Sequence, residues 1–219
     1  MRDKYILTAE SVTEGHPDKL CDTIADTVLD ACLTHDPGAR VACEVMATAG
    51  KILVAGEISV RELPDIPAIV CQTVRETGHP GLDYEVEVIT HDQSPDIAGA
   101  VDQESQTGAG DQGILYGYAC SETEELLPLP VVLAHRLTRL LTYARMDGRI
   151  QGLGPDGKAQ VSVEYVFGLP SRIASVVVSC QHDAGKDVEE LRQEIREQVI
   201  QPALRELSLI HISEPTRHS

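Results

Sequence analysis

Between Arg40 and Val60 apolar residues alternate on either side of Ala49-Gly50, and no other stretch constrains the fold as tightly. A period of two means extended strands with one buried face, and so short a connection containing glycine makes them a hairpin. With the turn at Ala49-Gly50, Glu44 faces Ala55 and Glu57 faces Ala42. Val41, Cys43, Val45, Ile52, Val54, Ile58 and Val60 then form the core side. Glu44 and Glu57 share the other side, a diagonal cross-strand step apart, on the order of 7 Å between backbone positions. Ala42, Met46, Leu53, Ala55 and Ser59 surround them, an unusually apolar setting for two acids. One reading is a site for a cation or a ligand amine; the other is a pair of exposed strand residues.

The rest of the chain supplies helices to cover such a sheet. Leu20, Cys21, Ile24, Val28 and Cys32 recur at helical spacing between Pro17 and His35, with proline at the start and Asp36-Pro-Gly38 at the end. A second helix is expected from about Pro67 to Thr77 and a strand from Tyr84 to Thr90. The stretch from His91 to Gly110 is rich in Gly, Ser, Gln and Asp and has no period, which in a compact domain marks a functional loop or disorder. Beyond it come a strand at Ile114 to Cys120, a helix from about Pro130 to Arg145, strands at Gln160 to Phe167 and Ile173 to Cys180, and a helix from Val188 to about Leu207 capped by Asp187.

The resulting order, βαββαβ followed by βαββα, predicts an α+β fold of repeated units whose second copy lacks its last strand. Trp is absent and aromatics make up 3 %, so Val, Ile, Leu and Ala fill the interior, as suits sheets covered by aliphatic helices. Residues 208–219 carry neither a strand's alternation nor a core pattern, and are read as a foreign tail rather than an ordinary frayed terminus.

A net charge of -17, from 35 acidic and 18 basic residues, repels nucleic acid and anionic membrane surfaces, so neither is expected as a partner. The same imbalance is awkward for any nucleotide site, because a triphosphate needs cations close by. Six cysteines without a CxxC pair predict reduced thiols in a cytoplasmic protein. The first residues do not form a signal peptide, and no apolar run spans a bilayer.

Two glycine-bearing motifs carry the chemistry. In Glu14-Gly-His-Pro-Asp-Lys19 the proline opens a helix, placing His16, Asp18 and Lys19 around an N-terminus whose free N–H groups attract anions. Asp18 there either caps the helix or holds Mg²⁺ against phosphate oxygens. In Gly108-Ala-Gly-Asp-Gln-Gly113 three glycines surround Asp111, so backbone can approach a ligand while one carboxylate points at it. The spacing is neither that of a Walker loop nor that of a Rossmann fingerprint.

With its continuation Ile114-Leu-Tyr-Gly-Tyr118, that second motif resembles the signature hexapeptide of S-adenosylmethionine synthetases. Glu10-Ser-Val-Thr-Glu-Gly-His-Pro-Asp-Lys19, Asp36-Pro-Gly-Ala-Arg-Val-Ala-Cys-Glu44, Gln93-Ser-Pro-Asp-Ile97 and Pro155-Asp-Gly-Lys-Ala-Gln-Val161 are similar to the same family in the same order, from Lys4 to about Leu207.

The resemblance implies a methionine adenosyltransferase, joining ATP to L-methionine with release of phosphate and diphosphate. It implies ATP contacts at His16, Asp156, Gly157 and Lys158, and methionine contacts at Glu57 and Gln93. Mg²⁺ falls to Asp18 and K⁺ to Glu44, with Asp111 where the substrates meet, so that His16, Asp111 and Lys158 form the catalytic set. The family's gating loop matches Asp96 to Thr107. The expected organisation is an N-terminal domain at 1–98, a mobile loop at 99–110 and a central domain at 111–207. The family works as a homodimer or dimer of dimers with active sites between subunits. Much of its basic triphosphate clamp lies in a later region whose motif this sequence lacks, so the 219 residues alone are expected to be inactive. A non-catalytic nucleotide-binding subunit of the same fold is the alternative. A hydrolase using Glu44 and Glu57 as acid and base has no further support, since such clefts favour aromatics for stacking sugars.

Overall fold

A computed structural model describes residues 4–79, 84–92, 102–103, 106–107 and 113–205. The architecture is α+β, with two three-stranded sheets, each covered by helices. The chain divides into two compact units, residues 17–117 and residues 1–16 with 118–219.

The first of these units begins with α1 (Pro17–His35). Leu20, Ile24, Val28 and Cys32, spaced four apart, form its buried stripe. The expected hairpin follows as β2 (Arg40–Thr48) and β3 (Lys51–Ser59), with Glu44 opposite Ala55 and Glu57 opposite Ala42. Gly50 turns with φ of 75°, a conformation glycine adopts without a Cβ clash. Asp65 then caps α2 (Ile66–Glu76) by accepting a 3.0 Å hydrogen bond from the Ala68 N–H. This helix returns the chain so that β4 (Glu85–His91) lies parallel to β3, giving the order β2-β3-β4. Ile52, Val54 and Ile58 pack against the α1 stripe and Ile66, Val70 and Val74 of α2 as one core.

The other unit takes its first strand from the start of the chain. β1 (Lys4–Val12) pairs antiparallel with β7 (Leu153–Val166), from Lys4 opposite Val166 to Val12 opposite Lys158. β7 pairs in turn with β8 (Leu169–His182), so the order is β1-β7-β8. Within residues 17–117, β5 (Asp102–Gln103) and β6 (Gln106–Thr107) form a two-residue antiparallel pairing in the stretch expected to have no regular structure.

The strand expected at Ile114 to Cys120 is absent. Residues 113–120 form no ladder, and Leu115 is 95 % exposed. The alternation of Ile114, Tyr116 and Tyr118 supplies strand propensity, but a strand needs a partner, and no described strand pairs with this segment. β7 begins earlier than expected, because Gly154, Pro155 and Gly157 read as loop residues yet lie within the strand; β8 also begins earlier, at Leu169.

Helix α3 (Leu129–Met146) covers this sheet, burying Leu133, Leu137, Leu141 and Ala144 against Ala159, Val161 and Val163. Asp187 caps α4 (Val188–Ile195) as expected, accepting from the Glu190 N–H at 2.9 Å. A wider π turn, Arg196–Ile200, leads into α5 (Gln201–Arg205). Pro202 has no N–H for an ordinary helical bond, and the widened turn just before it absorbs that break. Among the described residues no strand follows. All six cysteines carry free thiols, with Cys32 fully buried.

Tyr165 ties this unit together. Its ring is fully buried and stacks on Tyr5, the residue opposite it on β1, at 5.1 Å between centroids. Its hydroxyl donates to Glu122 Oε2 at 2.6 Å, and the same oxygen accepts the Leu129 N–H that opens α3. Burial first, then the bond to Glu122, pushes the Tyr165 hydroxyl well above the ordinary tyrosine range. Tyr165→Phe keeps the ring stack and removes that donor, so urea unfolding should show a loss of about 1 kcal/mol; no loss would mean the hydroxyl contributes nothing to the link between sheet and helix.

Candidate functional site

The residues linking β1 to α1 fold back onto β7. The pairing of β1 with β7 ends at Val12 opposite Lys158, and the Pro155 and Gly157 carbonyls beyond it accept from the residues that follow β1. Thr13 takes both: its N–H donates to the Gly157 oxygen at 2.9 Å, and its hydroxyl donates to the Pro155 oxygen at 2.6 Å. The Gly15 N–H donates to the same Pro155 oxygen at 3.2 Å, and the His16 N–H closes the turn onto the Thr13 oxygen at 3.1 Å. A Cβ on Gly15 would sit 2.5 Å from Pro155 Cβ and 2.6 Å from its carbonyl carbon, so the approach requires glycine.

Glu14, between these anchored residues, turns toward α3. Its carboxylate accepts the Thr142 hydroxyl at 2.6 Å and Arg145 Nη2 at 2.5 Å, from positions three apart on one helix face. Burial would raise the Glu14 carboxyl, but the bonds from Thr142, the backbone and Arg145 outweigh it and hold the group below the usual carboxylate range. Nearby on the same strand and helix, the Ser11 hydroxyl is hydrogen-bonded to His135 Nδ1 at 2.9 Å and to the Thr138 hydroxyl at 3.0 Å. Lys158 lies opposite Val12, and its ammonium donates to Glu10 Oε1 at 3.1 Å.

One unit therefore brings His16 together with the Asp156-Gly157-Lys158 segment, although the two stretches are far apart in sequence. Gly157 is buried, and a Cβ there would meet Leu141 Cδ2 at 2.7 Å, so α3 packs directly on the strand that carries Lys158. Sequence reasoning missed Glu10, Thr13, Thr142 and Arg145. Only the first two belong to a recognisable motif, and nothing in the sequence relates Thr142 to Glu14, 128 positions away.

In the other unit Glu44 and Glu57 are both exposed on the face of the β2-β3-β4 sheet opposite the core. In the parallel register Glu57 lies beside His91 and Ala55 beside Ile89. Lys51, on the same face, pairs with Glu87 at 2.6 Å and Glu85 at 3.5 Å, at the end of the sheet away from Glu57. Met46 and Ile89, 62 % and 45 % exposed, keep the face apolar around the acids. Asp18 is exposed in the first turn of α1. Gln93 and Asp111, the loop residues 96–101 and the tail at 208–219 lie outside the described residues.

Among the described residues no three His, Cys, Asp or Glu side chains gather to hold a metal. Asp18 nevertheless fits Mg²⁺ that arrives with a nucleotide, since this ion commonly takes one or two carboxylates plus phosphate and water oxygens. Glu44 fits a monovalent cation less completely, because its neighbours Ala42, Met46, Leu53 and Ala55 carry no side-chain oxygen. No helix among the described residues is long and apolar enough to cross a membrane.

The family model described as the N-terminal domain of S-adenosylmethionine synthetase matches residues 4–105, and that for the central domain matches residues 106–217. Their junction does not follow the compact units, since residues 4–16 of the first match fold with the second. The second match runs into the segment set apart above as foreign. An S-adenosylmethionine synthase of Sulfurovum sp. is 45 % identical over 226 aligned positions, covering 100 % of this chain and 58 % of its own length. Another from Oleidesulfovibrio alaskensis is 47 % identical over 212, covering 93 % and 54 %. A third, from Desulforudis audaxviator, is 44 % identical over 219, covering 92 % and 55 %. The chain thus spans a little over half the length of the curated relatives it matches.

Proposed function

Because this chain belongs to the S-adenosylmethionine synthetase family, we propose that it carries the nucleotide- and methionine-contacting part of a methionine adenosyltransferase. The observation that supports this best is the anchoring of the Thr13–His16 turn on Pro155 and Gly157, which gathers His16, Asp156, Gly157 and Lys158. These residues bind ATP. Glu57 and Gln93 hold methionine, and Asp111 lies where the substrates meet. Asp18 would hold Mg²⁺ against the phosphates and Glu44 would hold K⁺, supplying positive charge to the departing triphosphate.

The methionine sulfur attacks C5′ of ATP. A sulfur–carbon bond forms, the carbon–oxygen bond to the triphosphate breaks, and water then splits triphosphate into phosphate and diphosphate. A thioether has no proton to lose, so no general base is needed. The residues align sulfur, carbon and leaving oxygen and offset opposite charges on the two sides. Lys158 and His16 suit the triphosphate, whereas Glu57 suits the amine of the amino acid. The protein works in the cytoplasm, as a homodimer or dimer of dimers with active sites between subunits.

The net charge of -17 fits a chain that holds only part of the cationic clamp. The purified 219 residues, given ATP, methionine, Mg²⁺ and K⁺, should form no S-adenosylmethionine. A chimera joining residues 1–207 to the part of the Oleidesulfovibrio alaskensis relative beyond the match should form it. Turnover by the chain alone would overturn the expected inactivity, and a folded but inactive chimera would overturn the assignment.

A further inference from the structure

We infer that Thr142 and Arg145 on α3 are positioning residues for the nucleotide, acting through Glu14 to hold the Gly15–His16 turn on Pro155. This rests on the reading of His16 and Lys158 as nucleotide contacts. The turn has two kinds of anchor. Thr13, through its N–H and hydroxyl, and the Gly15 N–H tie it to the Gly157 and Pro155 carbonyls of β7. The Glu14 carboxylate supplies a second anchor, on α3 rather than on the strand, bound by a hydroxyl at 2.6 Å and a guanidinium at 2.5 Å.

The cost of this arrangement points to a task beyond cohesion. Arg145 is only 20 % exposed, and its Nε is buried without a hydrogen-bond partner. Hydrophobic residues of similar size would hold the helix on the sheet without that penalty. A charged pair instead fixes a direction, because hydroxyl and guanidinium both have to meet the same carboxylate. What it directs is the residue between Gly15 and Pro17. His16 follows Glu14 by two positions and its N–H bonds the Thr13 oxygen, so releasing the Glu14 side chain from α3 would loosen the backbone that carries His16.

The test uses the 219-residue chain, isotope-labelled, with backbone amide exchange and an Mg–ATP titration followed by NMR. In the unsubstituted chain the Gly15 and His16 amides should be protected, and Mg–ATP should shift the His16 and Gly157 signals. Glu14→Gln and Arg145→Met should speed exchange at Gly15 and His16 by about tenfold and weaken Mg–ATP by a similar factor. Amides of β7 and β8 should keep their protection. Arg145→Lys should recover part of both effects, and Thr142→Val, which nearly preserves shape, should give a smaller change of the same kind. Unchanged exchange and affinity in all four variants would overturn this inference and leave the nucleotide reading standing. Absence of any ATP-induced shift in the unsubstituted chain would overturn both.

Discussion

Gly56→Ala should be the most destabilising single-methyl change in the β2-β3-β4 unit. Gly56 has a φ of 147°, where side chains other than glycine are strained, and an added Cβ would lie 1.9 Å from the Ala42 carbonyl oxygen of the facing strand. Neither atom can rotate away, since one is backbone and the other is fixed to it. Strain of about 1–3 kcal/mol from the backbone conformation and about 1–3 kcal/mol from overpacking both apply. The urea midpoint should fall accordingly. Gly50→Ala is the control: its φ is also positive, but nothing lies within 4 Å of the added methyl, so only the strain should be seen. Equal losses for the two variants would show that the strands separate freely at Ala42.

Gly15→Ala should have its largest effect on activity. The added Cβ would meet Pro155 Cβ, carbonyl carbon and oxygen at 2.5, 2.6 and 2.7 Å. The turn has to lift off the strand, carrying His16 with it. A misplacement of about 1 Å at a reacting group costs about 100-fold in rate, and the chimera carrying this change should lose that much turnover while still folding. Gly185→Ala, with nothing within 4 Å and no positive φ, should leave turnover unchanged. Full activity in Gly15→Ala would mean that the contact with Pro155 does not hold the turn in the working protein.

Local pattern made much of this fold legible. Alternation and one glycine turn were enough to predict the pairing of Glu44 with Ala55 and of Glu57 with Ala42, because a one-residue slip would move every apolar side chain to the wrong face. The cap of α4 follows from a side-chain acceptor placed next to apolar periodicity, and Asp187 was readable as such, whereas Asp65, which caps α2, was not singled out. Partnership over distance was not. Nothing in Lys4–Val12 says that it pairs with β7, and Ile114–Tyr118 carries the alternation of a strand without a partner. The early part of β7 was hidden because Gly154, Pro155 and Gly157 are loop residues by propensity, yet they lie in a strand whose Pro155 carbonyl accepts from Thr13.

The candidate site follows the same division. His16 and Lys158 stood out through resemblance of their motifs, which is a property of short stretches. Their assembly depends on Thr13, Glu14, Thr142 and Arg145, whose contacts link a turn, a strand and a helix. Ion pairs and hydrogen bonds of that kind leave no period in a sequence, and only the folded chain displays them.

The decisive measurement is S-adenosylmethionine formation by the chimera with Lys158→Ala. Lys158 sits on a rigid strand, half-buried and bonded to Glu10, so its loss should leave the fold intact while kcat/KM for ATP falls by about 100-fold or more, as for removal of a group that stabilises developing charge. Turnover equal to that of the unsubstituted chimera would contradict the proposal that the turn at His16 and the strand at Lys158 bind one triphosphate.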